Sequence, residues 1–329
     1  MSSKPINSTS LVRDFLIQFQ NQLTSKLEVL DGGAKFQEDS WCKLELGQGR
    51  TRVLKCGQLF EQGGLSFSEI RGDNPPASLL GRMPELAGQS FWGCGVSCVL
   101  HPWSPFCPTV HFNYRYFEAG EVWWFGGGAD LTPFYPYKED CEHWHRTHKH
   151  AMDKHDPAFY PAFKYWCDEY FYNHHRSETR GIGGTFYDQL NGRAGRLVKG
   201  DSARRSENKA HPALTLTAGD MNWNDLMAFH VGNANAFEHA YFPIIHKRRE
   251  QPWKDAQREF QLYRRGRYVE FNLLHDRGTL FGLQSKGRTE SILMSLPPLV
   301  RWEYNFQPKP GTPEHELTHL YLKRHIDWV

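Results

Sequence analysis

Leu11, Phe15, Phe19, Leu23 and Leu27 recur every fourth residue between polar positions, which predicts an amphipathic opening helix. From Thr51 to about Phe117 the pattern changes to short strands separated by glycine, clearest over Arg52–Cys56, Leu65–Ile70 and Gly95–Leu100. Val122–Phe125 reads as a further strand, turned by Gly126, Gly127 and Gly128. Helical spacing then dominates over Lys138–Asp153, Pro161–Glu178, Ala234–Arg249 and Trp253–Arg264. Tyr268–Leu274 and Thr279–Gln284 read as strands of a hairpin around Asp276, Arg277 and Gly278, followed by a strand over Glu290–Leu296 and a helix over Pro313–Arg324. Strands in a run, then helices, then strands, without regular βαβ alternation, predict an α+β fold with a largely antiparallel sheet. Residues 191–223 are rich in Gly, Ser, Lys and Arg and carry no period, which predicts a long loop or insertion within a single domain spanning 1–329.

The segment from Val110 to Tyr116 alternates with period two. Val110, Phe112, Tyr114 and Tyr116 fall on one face, and His111, Asn113 and Arg115 on the other. A solvated strand face more often carries Lys, Glu and Thr, so a row of His, Asn and Arg suggests the floor of a site; an ordinary half-exposed strand would give the same spacing. The preceding strand places Ser97 and His101 on one face in the same way. Asp130 follows the glycines at 126–128, where glycine lets backbone approach a ligand closely, or where an acid simply caps a tight turn. No Lys-Ser/Thr pair follows to make a phosphate loop, and Phe186 occupies the third glycine position of a dinucleotide fingerprint beginning at Gly181.

Composition narrows the functional classes. With 39 basic and 37 acidic residues, the charge is too even for a dedicated nucleic-acid binder. No apolar run reaches the roughly 20 residues of a membrane span. Seven scattered cysteines without CxxC spacing argue against a disulfide framework and for a reducing compartment. Met1–Asp14 has no apolar core and only Lys4 and Arg13 as basic residues, so it reads as neither secretory signal nor organelle leader; the expected location is the cytoplasm.

HFNYRYF from His111, WWFGGGADLTPFY from Trp123, HRSETRGIGGTFYD from His175, GRYVEFNLLHDRGTLFGLQ from Gly266 and GRTESILMSLPPLVRWEY from Gly287 resemble, in order, the signatures of the oxygen-dependent coproporphyrinogen III oxidase family. RMPELAG from Arg82 and the Gly95-Val96-Ser97 strand add to the resemblance. It implies a large flat antiparallel sheet between two layers of helices, and a homodimer whose contact involves Tyr268 to Arg288. The implied reaction oxidatively decarboxylates two propionates of coproporphyrinogen III to vinyls. O2 is the co-substrate and no cofactor is required. The family's site, carried over by motif, makes His111 the proton donor and places Asp130 beneath the ring nitrogens. Ser97, Asn113, Tyr114, Arg115, Lys286, Gly287 and Arg288 become substrate contacts, and Arg180 and Arg277 further carboxylate clamps. Lys286 stands where the family more often has glycine. Some bacterial relatives carry metal ligands equivalent to His101, His111, His145 and His175, but no compact ligand spacing joins these four, and a metal-independent enzyme is expected.

Two other readings fit parts of the sequence. His315-Glu316-Leu317-Thr318-His319 matches a zinc-peptidase motif, with His325 in the extended third position. However, Leu322 replaces the glycine that would turn the chain back, and a continuing helix carries His325 roughly 15 Å along the axis. The second reading is a tetrapyrrole carrier, which would bind porphyrin without consuming oxygen.

Overall fold

The computed structural model describes residues 4–43, 47–81, 83–191, 221–284 and 287–329. The opening amphipathic pattern forms helix α1 (Ser8–Asp31), which buries Val12, Leu16, Phe19, Leu23 and Leu27. Strands β1 (Gln37–Lys43), β2 (Gly47–Lys55), β3 (Phe60–Gly72), β4 (Phe91–Pro102), β5 (Thr109–Ala119) and β6 (Val122–Thr132) follow, with short helix α2 (Ala77–Leu80) between β3 and β4. Helices α3 (Lys138–Asp153) and α4 (Phe159–Tyr170) lead to the two-residue strands β7 (Tyr172–Asn173) and β8 (Glu178–Thr179), and then to β9 (Gly183–Leu190). The chain closes with α5 (Trp223–Arg248), α6 (Asp255–Leu274), α7 (Arg277–Gln284), α8 (Thr289–Leu293) and α9 (Pro313–Glu316), the last running into a π turn over Leu317–Tyr321.

β1 to β6 form an antiparallel meander, and β9 adds beside β6 to complete a seven-stranded sheet. One face carries Leu65, Phe67, Val96, Cys98, Phe112, Tyr114, Tyr116 and Phe125 into a continuous apolar core with α1, α3 and α5. Helix α4 lies along the β9 edge, where Phe163 meets Tyr187 and Trp166 meets Phe186; a covered edge offers no template for foreign strands. Across the opposite face, α6 reaches the end of β4 through Gln261 and Arg265, which donate to the Pro102 carbonyl. α8 is tied to β2 through Thr51 and Ser291, whose hydroxyls lie 2.8 Å apart. The α+β architecture with helices on both faces is therefore as expected.

Several element assignments differ from the sequence reading. Gly126–Gly128 do not turn the chain; they lie inside β6. A Cβ on Gly127 would meet Tyr114 and Tyr187 at 2.9 Å, and one on Gly128 would meet the Thr185 carbonyl at 2.1 Å, so the glycines serve close strand packing. The expected strands at Tyr268–Leu274, Thr279–Gln284 and Glu290–Leu296 are helical. Tyr268, Val269 and Phe271 are strand-favouring by type, yet burial at 260/261, 264/265, 268/269 and 271/272 follows a helical period set by packing. Asp276 does not turn a hairpin; its carboxylate accepts from the Thr279 amide at 2.7 Å and caps α7. α4 ends at Tyr170, eight residues before the expected Glu178. The expected 191–223 loop lies outside the described residues apart from its two ends, as does Lys286.

Candidate active site

The second face of the sheet is polar where the first is apolar. In register across it run Thr51, Ser66, Ser97 and Asn113, and beside them Ser68, Gly95, Arg115 and Gly126. His111 pairs with Asp130 and completes the next row. Ser97, His111, Asn113 and Arg115 are all partly exposed on this face, between the sheet and the α7–α8 region.

At its centre, His111 Nδ1 lies 2.7 Å from Asp130 Oδ1, and the imidazole keeps about a quarter of its surface exposed. Asp130 itself is 1% exposed. Arg180, on the turn entering β9, donates through Nη2 to both carboxylate oxygens at 2.8 and 2.7 Å, and through Nη1 to Asn272 Oδ1 on α6 at 2.5 Å. Its guanidinium stacks 4.1 Å from the Phe171 ring and 4.8 Å from that of Tyr268. Burial alone would raise the Asp130 pKa, but the Arg180 charge and the His111 hydrogen bond outweigh it and hold the carboxyl below its ordinary range. The result is a fixed carboxylate that holds Nδ1–H of His111, while Nε2 has no hydrogen-bond partner among the described residues. Such a ring accepts or returns a proton at Nε2 without losing its orientation.

Arg115 lies between two strands that carry no side chain beside it. A Cβ on Gly126 would meet Arg115 Nε at 2.7 Å, and one on Gly95 its Cβ at 3.2 Å. Arg115 thereby reaches Asp188 on β9 at 3.0 Å. Arg277 approaches the other Asp188 oxygen at 4.0 Å and stacks over Tyr170. Arg115 and Arg277 thus share Asp188, and the Asp276 carboxylate also acts on Arg115. Arg288 lies at the other end, paired with Asp39 on β1; strands about 4.8 Å apart place β1 and β5 about 19 Å from each other.

Not every carried-over residue faces this cleft. Tyr114 points the other way: its side chain is fully buried in the core, and its hydroxyl donates to the Asn233 carbonyl at 3.2 Å. Arg180 is spent on Asp130 and Asn272 and is not an open carboxylate clamp. Asp130 is enclosed by His111 and Arg180, which take both its carboxylate oxygens. Asp188, Asn272 and the flanking Phe171 escaped the sequence reading. Asp188 closes the quoted TFYD segment, but nothing in the residue order tells that it meets Arg115.

The four histidines considered as metal ligands are not brought together. His101 has Nδ1 on Thr109 Oγ1 at 3.1 Å and Nε2 on the Ser295 carbonyl at 2.9 Å; His145 has Nδ1 on Tyr160 Oη and Nε2 on the Ile182 carbonyl, both at 3.0 Å. Neither ring has a lone pair left for a cation. His175 is paired with Glu270 at 2.5 Å. Among the described residues no group of three or more His, Cys, Asp and Glu side chains is arranged to hold a metal ion. The zinc-peptidase motif fails similarly: His315 and His319 stack on each other with centroids 3.8 Å apart, while His325 bonds Glu169 at 2.9 Å and stacks on Tyr165.

An anchored histidine flanked by arginines on an open sheet face is an arrangement able to hold an anionic group beside a proton-accepting nitrogen. The family model for coproporphyrinogen III oxidase matches residues 11–328, and the chain belongs to that family. It is 52% identical over 322 residues to an oxygen-dependent coproporphyrinogen-III oxidase of Prochlorococcus marinus (strain NATL2A), covering 98% of this chain and 91% of that protein. The protein of the same description from Synechococcus sp. (strain CC9605) is 51% identical over 325 residues, covering 99% and 89%.

Proposed function

We propose that the chain catalyses the oxygen-dependent decarboxylation of two propionates of coproporphyrinogen III to vinyl groups, giving protoporphyrinogen IX for haem synthesis. The observation that carries this reading is the His111–Asp130 pair, set on an open face between Arg115 with Arg277 at one end and Arg288 at the other. A tetracarboxylate macrocycle needs that separation of cationic groups, each able to take a carboxylate through paired N–H donors. For each propionate the balance is R–CH2–CH2–COO⁻ + O2 + H⁺ → R–CH=CH2 + CO2 + H2O2. The electrons come from the porphyrinogen, so the protein's part is orientation, charge and proton handling. His111 Nε2 handles the proton, and Asp130 acts on the substrate through His111. No metal or organic cofactor is invoked, which accords with the occupied nitrogens of His101 and His145.

The quaternary and cellular settings belong to the same proposal. Leu273, Leu274 and Leu283 are 42, 58 and 40% exposed within the Tyr268 to Arg288 region, as a homodimer contact requires. The seven cysteines are all unpaired, in keeping with a reducing cytoplasm. No helix among the described residues is long and apolar enough to cross a membrane. The test is turnover of coproporphyrinogen III with and without O2, each with and without a chelator. Protoporphyrinogen formed only aerobically, and undiminished by chelation, is expected. Anaerobic turnover defeats the oxygen requirement, chelator-sensitive turnover defeats the metal-free reading, and binding without turnover favours a carrier.

A further inference from the structure

His111 is the visible end of a longer buried chain. Behind it, Asp130 accepts from the His111 ring at 2.7 Å and from Arg180 Nη2 at 2.8 and 2.7 Å, and Arg180 Nη1 then donates to Asn272 Oδ1 at 2.5 Å. Three of the four members are nearly sealed from solvent: Asp130 is 1%, Arg180 6% and Asn272 4% exposed. Each comes from a separate element: β5, β6, the turn before β9, and α6. The guanidinium lies against Phe171, Tyr268 and Phe271, with centroids 4.1, 4.8 and 5.2 Å away. Its N–H donors are taken by Asp130 on one side, through Nε and Nη2, and by Asn272 on the other, through Nη1.

We propose that Asn272 is a positioning residue for the reaction: through Arg180 it sets how fully Asp130 is committed to His111. The inference rests on the reading of His111 as the proton-handling group. A neutral acceptor at 272 satisfies Nη1 without competing for the guanidinium charge, so Arg180 stays centred on Asp130. A carboxylate at 272 would share that charge, loosen Arg180 from Asp130 and add negative charge near the imidazole. Both effects favour protonated His111. The charged and titratable groups facing the chain are Asp130, Arg180, Tyr268 and Asp276, with Cys167 behind Asp130 and His101 on β4. Only Asn272 can be changed among the chain members without removing a charge or the reacting ring.

The experiment is the pH profile of kcat for Asn272→Asp and Asn272→Ala, with coproporphyrinogen III and O2, beside His111→Asn. Asn272→Asp is expected to move the ionisation seen in kcat to higher pH by about half a unit or more. Asn272→Ala, which leaves Nη1 without its acceptor, is expected to lower kcat about tenfold with KM within twofold. A folded Asn272→Asp enzyme with the parent profile overturns the inference, as does Asn272→Ala with parent kcat. If Asn272→Asp does not fold, the kcat and KM of Asn272→Ala decide alone. His111→Asn separates the two levels. If it retains parent activity, the reading of His111 fails; if it is inactive while the Asn272 variants keep the parent profile, only the positioning role fails.

Discussion

Asp130 and Arg180 are fifty residues apart in sequence and are joined side-on, with Nη2 at 2.7 Å from Oδ2, in a pair almost wholly sealed from water. Two such charges are stable in a protein interior only when their remaining hydrogen-bonding capacity is also met. Here His111 takes one side of the carboxylate and Asn272 the far side of the guanidinium. The pair thus converts a flexible imidazole on an open strand into a group of fixed tautomer and aim.

The two faces of β5 make opposite predictions for neighbouring residues. Arg115→Ala removes a partly exposed cation from the substrate face and should raise KM about ten- to a hundredfold, the worth of a charge-assisted hydrogen bond. Tyr114→Phe removes only a buried hydroxyl that donates to the Asn233 carbonyl. It should cost about 1 kcal/mol of stability and leave KM unchanged. Steady-state kinetics with urea unfolding distinguish them, and a large KM effect from Tyr114→Phe would contradict the inward orientation of Tyr114.

Gly128 has φ +152° and faces the Thr185 carbonyl where a Cβ would stand. Gly128→Ala should therefore push β9 away from β6, carrying the turn with Arg180 off Asp130. A loss of about 2 kcal/mol or more is expected, with activity falling alongside. A variant as stable as the parent would mean the strands part more easily than this packing allows.

Much of the site was legible in residue order because β5 obeys period two: His111, Asn113 and Arg115 had to share a face wherever the strand lay. Family resemblance named Asp130 and Arg180, yet it could not tell that they satisfy each other, since Arg180 enters from a turn after α4. The glycines at 126–128 look the same in a turn and in a crowded strand; only the neighbours Tyr114, Tyr187 and Thr185 distinguish the two. In α6 to α8, aromatic and β-branched residues carry strand propensity, and tertiary packing overrode it. Asn272, amid that misread stretch, had no local signal at all.

Acid stability follows from histidines held neutral. Burial lowers the pKa of His101 and His230 to about 3 and of His148 to about 4. These folded values lie below the unfolded value of about 6.5, so the unfolded chain binds protons first as pH falls. Their contribution is complete above about pH 6.5 and is lost progressively on the way down to pH 4 and 3. Urea midpoints should hold nearly level from pH 7.5 to about 6.5 and then fall towards pH 5, before most carboxylates titrate. Equal midpoints at pH 7.5 and pH 5 would contradict the neutral burial of these rings.

Structure and chemistry can be separated at the Asp130–Arg180 pair. Asp130→Asn leaves a buried guanidinium uncompensated, and Arg180→Met leaves a buried carboxylate; each should cost about 3–5 kcal/mol in urea unfolding. Combining them removes both charges, so the double variant should recover much of that stability, a coupling that a double-mutant cycle measures directly. Turnover should not recover with it, because the His111 Nδ1–H then faces a neutral amide, whose NH2 can compete as donor, and the ring loses its fixed tautomer. A stable double variant that decarboxylates at the parent rate would show that the pair holds the fold together and contributes nothing to the proton transfer at His111.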